Sequence, residues 1–230
     1  MTTRTATPDS AAPRAVYVFE APVRLWHWVH TFSFLTLAVT GYLIAHPLPS
    51  LAGEASDHFL MGDIRLIHFI AGWFFAVGFA VRIYWAVVGN RYAREIFYLP
   101  LWRAEWWKGL FHELAYYLFL TRSQPRVIGH NPLAQAAMFF LNTLLTLFLI
   151  ATGFALYGQG LGPGSWAEVA FGWVLPCLGG GEATQNWHEM GMWLMITFAI
   201  VHIYMAVRAD IFGKSSSVSA MISGWRMFRE

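Results

Sequence analysis

Four long apolar stretches dominate this chain and leave few folds open to it. They run from about Leu25 to Ala45, Ile64 to Val88, Leu133 to Leu156 and Trp187 to Val207. Each is about 20 residues or longer, enough for a helix to cross roughly 30 Å of hydrocarbon. Membrane strands alternate apolar and polar residues over roughly ten positions, and these continuous runs do not. The runs are bounded by breakers: His46-Pro47 after the first, Gly89-Asn90 after the second, and His130-Asn131-Pro132 before the third. The expected fold class is therefore all-α, a four-helix transmembrane bundle. The segment Trp102–Leu120 is interrupted by Arg103, Glu105, Lys108, His112 and Glu113. That pattern suits a helix lying in the membrane interface.

Composition agrees. Of 230 residues, 57% are hydrophobic and only 12% charged, against roughly 25% charged in soluble domains. Such a chain is neither disordered nor an ordinary soluble enzyme. One cysteine, Cys177, excludes a disulfide framework, a chain-held Fe–S cluster and a Cys-based zinc site. A net charge of +2 gives no reason to expect nucleic acid.

The distribution of charge says more than its sum. Lys and Arg crowd the N-terminal region (Arg4, Arg14, Arg24), the segment between the second and third runs (Arg91, Arg94, Arg103, Lys108, Arg122, Arg126) and the C-terminal end (Arg208, Lys214, Arg226, Arg229). The other two loops, Pro47–Asp63 and Tyr157–Asn186, contain neither residue. By the positive-inside rule both termini and the interfacial helix are cytoplasmic. The expected organisation is a polar tail over residues 1–23, a membrane domain over 24–212 and a cytoplasmic tail over 213–230. The first 23 residues lack the apolar core of a signal peptide. The glycine-rich loop Tyr157–Asn186, with Trp166, Phe171 and Trp173, reads as an irregular outer segment able to follow a partner's surface.

Ionisable groups inside membrane spans are costly and mark function. His27 lies near the start of the first span, His68 near the start of the second, and His188 and His202 near the two ends of the fourth. His188 and His202 are 14 residues apart. That puts them within about 40° of one face and roughly 21 Å apart along a helix axis. The topology then sorts the four by depth: His27 with His202 on the cytoplasmic side, His68 with His188 on the outer side. Two imidazoles from facing helices hold haem iron axially, so two stacked haems are expected. Zinc and copper need ligands clustered at one level, which this spacing does not offer. His30, one turn after His27, is the rival ligand in the first span.

Neighbouring residues extend the pattern. Gly72 and Gly191 lie on the faces of His68 and His188, where a missing side chain suits either a flat macrocycle or close helix packing. Arg82 is 14 residues beyond His68 on the same face. A buried arginine needs an anion, and a haem propionate is a candidate; snorkelling to the interface is the other reading. Arg24, Arg65 and Arg208 sit nearer the rims and are candidates for similar parts, Arg65 among the expected cofactor-binding residues. His130 and Asn131, at the cytoplasmic entry of the third span, are candidates for a quinone site, His130 as a proton relay and Asn131 alternatively as a helix N-cap.

These residues also carry a family likeness. Arg24-Leu25-Trp26-His27-Trp28 continuing to Thr40-Gly41, Gly129-His130-Asn131-Pro132-Leu133-Ala134-Gln135-Ala136-Ala137-Met138-Phe139, and Trp187-His188-Glu189-Met190-Gly191-Met192-Trp193 through His202 resemble the b-type cytochrome subunit of membrane-bound nickel–iron hydrogenases. Tyr17–Arg24 and Val88-Gly89-Asn90-Arg91-Tyr92 fit as well. The resemblance implies a subunit with two haem b groups that anchors a periplasmic hydrogenase in the bacterial inner membrane. Its partners would be the iron–sulfur small subunit and, through it, the nickel–iron large subunit. Electrons would pass from the small subunit through the two haems to quinone. The gamma subunits of formate dehydrogenases share the plan, so a formate or thiosulfate oxidoreductase subunit is the rival. A transporter would need deep carboxylates, and no Asp or Glu lies deep in any run. A purely structural anchor is the third alternative.

Overall fold

The computed structural model describes residues 14–49, 53–54, 58–122, 129–213 and 216–228. The tail residues 1–13 and the terminal basic residues Lys214 and Arg229 lie outside them, as do Asp57 and Arg126. All four expected spans are helices long and apolar enough to cross a membrane.

The first span is α1, Ala21–Ala45, entered through Pro22 and closed at His46. Proline suits a first helical turn, where its missing N–H leaves no bond unmade. The second is α2, Leu60–Val88, which stops where Gly89 turns extended. The interfacial helix is α3, Ala104–Tyr117, inside the expected Trp102–Leu120. The third span has three parts: α4 over Pro132–Ala137, a π-helical stretch over Met138–Leu144 and α5 over Leu145–Leu161. Two short helices follow, α6 over Trp166–Phe171 and α7 over Val174–Leu178. The fourth span belongs to α8, Gly181–Gly213, followed by α9, Ser217–Ser223.

The helices pair as two hairpins, α1 with α2 and α5 with α8, joined by α1–α8 and α2–α5 contacts. The α2 and α8 helices thus sit diagonally, with α1 and α5 between them. Large apolar side chains such as Leu25, Phe32, Phe74, Val87 and Ile200 stay exposed on the outside. In water this would be an aggregation surface, whereas in lipid it is the ordinary exterior of a helical bundle. At the end of α5, a Cβ on Gly158 would come 2.5 Å from the Glu168 backbone nitrogen. Only glycine lets α6 fold back this tightly over the bundle.

The first and last described segments meet on one face. Residues Arg14–Tyr17 form strand β1, which pairs antiparallel with β2, Trp225–Phe228, in the register Arg14↔Phe228 to Tyr17↔Trp225. Residues 14–23, expected within a polar tail, thus form β1 and the entry to α1. Val18 and Phe19 are buried against Val23, Tyr92, Ala93 and Ala220. The Glu20 carboxylate accepts from Trp85 Nε1 at 3.0 Å and from the Asn90 backbone N–H at 2.8 Å, and Asn90 Nδ2 donates to Val18 O. Asn90 Oδ1 meanwhile accepts the N–H groups of Tyr92 and Ala93. These polar bonds tie the start of α1 to the turn after α2, which explains two otherwise separate sequence motifs as one clasp.

Candidate haem-binding site

The histidines fall at two levels. At the level away from the chain ends, His68 of α2 and His188 of α8 lie within electrostatic reach of each other. At the level of the chain ends, His27 of α1 and His202 of α8 do the same.

The far pair is held in a specific way. His68 Nδ1 is 2.8 Å from Thr40 Oγ1 on α1, and His188 Nδ1 is 2.7 Å from Thr152 Oγ1 on α5. No protein group among the described residues bonds the Nε2 atom of either ring. Each threonine is followed by glycine. A Cβ on Gly41 would come 3.2 Å from His68 Cε1, and one on Gly153 would come 3.3 Å from His188 Cε1. Two imidazoles with their Nδ1 atoms engaged and their Nε2 atoms open form the donor set that an axially ligated iron needs.

The near pair is built differently. His27 Nδ1 is buried without a hydrogen-bond partner. His202 stacks beside Phe198, ring centroids 5.6 Å apart. The rival His30 is stacked on Phe75 at 4.2 Å and flanked by Trp26 at 4.9 Å. It sits as an aromatic-core residue, its Nδ1 also buried and unbonded. His202 lies within electrostatic reach of both His27 and His130.

Arg82 is only 2% exposed. Its Nη2 donates to Ala93 O, and the guanidinium lies 5.3 Å from the Trp26 ring and 5.0 Å from the Phe97 ring. Its Nε and Nη1 are buried without a partner. The structure thus excludes snorkelling into water and leaves two donors for a buried anion. Arg65 is exposed one turn before His68, at the far level. Arg24 bonds Ile222 O, and Arg208 lies over the rings of Tyr116, Tyr117 and Phe119.

At the start of the third span, the Asn131 side chain accepts from Ala134 N–H at 2.7 Å. It is the N-cap of α4. His130 donates its backbone N–H to Glu95 Oε2 at 2.8 Å, and its ring Nδ1 lies 2.9 Å from the same oxygen. Sequence reasoning missed Glu95; its one signal was an acidic residue inside a strongly basic segment. It also missed the π-helical stretch, where Asn142 and Thr143 are buried and Thr143 Oγ1 donates to Ile96 O at 3.1 Å. Gly191 proves to be a packing glycine: its Cβ would come 2.9 Å from Leu149 Cδ2. Gly72 has only Leu37 near it, at 4.0 Å. Among the described residues no three His, Cys, Asp or Glu side chains gather as a metal cluster.

Residues 18–224 match the family described as prokaryotic cytochrome b561. The chain belongs to that family. It is 52% identical to the probable Ni/Fe-hydrogenase B-type cytochrome subunit of Azotobacter chroococcum mcd 1, over 94% of this chain and 90% of that protein. The protein of that name from Rhizobium leguminosarum bv. viciae is also 52% identical, over 94% and 91%. The probable Ni/Fe-hydrogenase 1 B-type cytochrome subunit of Escherichia coli (strain K12) is 48% identical, over 91% and 90%. A b-type cytochrome carries haem b, and the open Nε2 atoms of His68 and His188 fit it, as do the unpartnered donors of Arg82.

Proposed function

We propose that this cytochrome is the membrane electron-transfer subunit of a nickel–iron hydrogenase, with two haem b groups and quinone as the acceptor. His68 and His188 would hold one haem at the outer level; His27 and His202 would hold the other at the cytoplasmic level. The observation that carries the reading is the pairing of four histidines at two depths, one helix supplying a member to each pair. Haem b, when bound, supplies one-electron redox chemistry in the middle of an apolar bundle. The names of the relatives support a hydrogenase partner over a formate or thiosulfate oxidoreductase. The near-complete charge split supports an inner-membrane orientation with both chain ends cytoplasmic, and the β1–β2 pairing supports a shared side for them. The partner's iron–sulfur small subunit, with the nickel–iron large subunit behind it, would then meet the outer, glycine-rich face.

The protein's own groups supply the rest. The four histidines sit half-buried in the apolar bundle. Arg82 offers two unpartnered donor nitrogens, Nε and Nη1, to a propionate at the cytoplasmic level, while exposed Arg65 offers a weaker contact at the outer one. Quinone reduction takes up protons, and the Glu95–His130 pair at the cytoplasmic rim is placed to relay them, with Asn131 holding the helix start beside it.

The test is a reduced-minus-oxidised spectrum with haem counted per chain in the purified complex. Two b-type haems and co-purifying nickel are expected. One haem per chain would overturn the two-haem reading, and molybdenum in place of nickel would favour the rival complex.

A further inference from the structure

The same six-residue pattern occurs on the two helices that lie between the far-level histidines. Leu37-Ala38-Val39-Thr40-Gly41-Tyr42 on α1 parallels Leu149-Ile150-Ala151-Thr152-Gly153-Phe154 on α5. The geometry repeats with the sequence. Thr40 Oγ1 donates to Thr36 O at 2.7 Å, and Thr152 Oγ1 donates to Phe148 O at 2.8 Å. A hydroxyl has one proton. With that proton held by a helix carbonyl, the oxygen can only accept from a histidine 2.8 Å or 2.7 Å away. The imidazole must then carry its proton on Nδ1, and the Nε2 lone pair is left free.

Back-bonding by threonine is common in helices, and in this chain it does not select for histidine. Thr31, Thr36 and Thr197 make the same bond to the carbonyls of His27, Phe32 and Trp193. Thr40 and Thr152 differ by the second bond, which reaches a neighbouring helix. The glycine after each threonine completes the device, because a Cβ there would press on the imidazole edge.

We propose that Thr40 and Thr152 are positioning residues that set the tautomer and rotation of His68 and His188 before haem binds, with Gly41 and Gly153 admitting the rings. This rests on the reading of His68 and His188 as axial ligands. A ligand imidazole whose Nδ1–H is held by an acceptor is a better donor to iron. Better donation favours the oxidised metal, so both threonines hold the outer haem's potential below the value it would have without them.

The experiment uses the full chain in its purified complex, with His68→Ala marking which haem is the outer one. Thr40→Val and Thr152→Val keep the side-chain shape and remove the acceptor; Thr40→Ser and Thr152→Ser keep the hydroxyl. Haem content, the midpoint potential of each haem and the ferric low-spin resonance signal are read for all four. The valine variants should raise the outer potential and shift its resonance signal, or lose that haem by an affinity drop of about 10- to 100-fold. The serine variants should match the parent, and the inner haem should not move. Valine and serine variants that behave alike would overturn the inference, whether both are unchanged, both shifted or both haem-depleted, as would a shift confined to the inner haem. A His68→Ala protein that keeps both haems overturns the ligand assignment itself, a different result from any of these.

Discussion

The two histidine pairs share helix α8 but not a construction. At the proposed outer level each imidazole is bonded through Nδ1 to a threonine on another helix, and a glycine sits against each ring. At the proposed cytoplasmic level His27 Nδ1 has no partner; Arg82 packs on the neighbouring Trp26 ring, and His130, paired with Glu95, lies within electrostatic reach of His202. The outer pair is oriented by the bundle alone. The inner pair sits among groups suited to an anion and to protons. A level that only passes electrons gains from a rigid setting, because little has to rearrange. A level where protons are taken up needs titratable groups and contact with water.

The largest expected effect separates the levels outright. His68→Ala or His188→Ala should remove the outer haem and leave the inner one; His27→Ala or His202→Ala should do the reverse. Haem quantified per chain, with difference spectra to tell the two apart, checks this. Loss of haem in His30→Ala with full content in His27→Ala would move the inner ligand by one turn.

Arg82→Gln comes next. The substitution removes the charge, while the aromatic pocket of Trp26 and Phe97 remains. If Arg82 neutralises a propionate, the inner haem should be retained more weakly through purification, with outer haem content unchanged. Equal loss of both haems would instead mark Arg82 as a general support of the bundle, acting through its bond to Ala93 O.

How much of this was readable beforehand differs between the levels. Span number and the helix over Ala104–Tyr117 follow from hydropathy and charge, and the proposed depth of each histidine from helical rise, all local properties of the chain. The threonine bonds were not readable, because Thr40 and His68 lie 28 residues apart on different helices and Thr152 and His188 lie 36 apart. Only packing brings them together. The repeated Thr-Gly was visible as letters, without a reason to connect it to histidine. Glu95 escaped for the same cause: its partner His130 is 35 residues away. Asn131 was legible as a cap from its place before Pro132, since capping is decided within one turn.

A smaller, kinetic effect is expected at His130. In His130→Ala the backbone N–H can still donate to Glu95, so the fold at the start of α4 is kept and only the imidazole is lost. Both haems should remain reducible by hydrogen through the partner, while electron delivery to quinone slows. Unchanged hydrogen-to-quinone turnover with normal assembly would place the acceptor site elsewhere along the cytoplasmic rim.

The smallest effect should come from Asn131, and it sharpens the contrast with its neighbour. The Asn131 side chain is occupied in accepting from Ala134 N–H, and the next residue, Pro132, has no N–H to offer. Removing the cap leaves one donor of the first helical turn unsatisfied. Asn131→Ala should therefore cost about 1 kcal/mol of stability, seen as a modest fall in the temperature at which the haem absorbance is lost. Asn131→Asp or Asn131→Ser, which can still accept that bond, should recover most of it. Quinone turnover measured well below that temperature should stay near the parent value in all three. A kinetic defect in Asn131→Ala as large as that of His130→Ala, restored by neither Asp nor Ser, would mean that the amide itself meets the quinone.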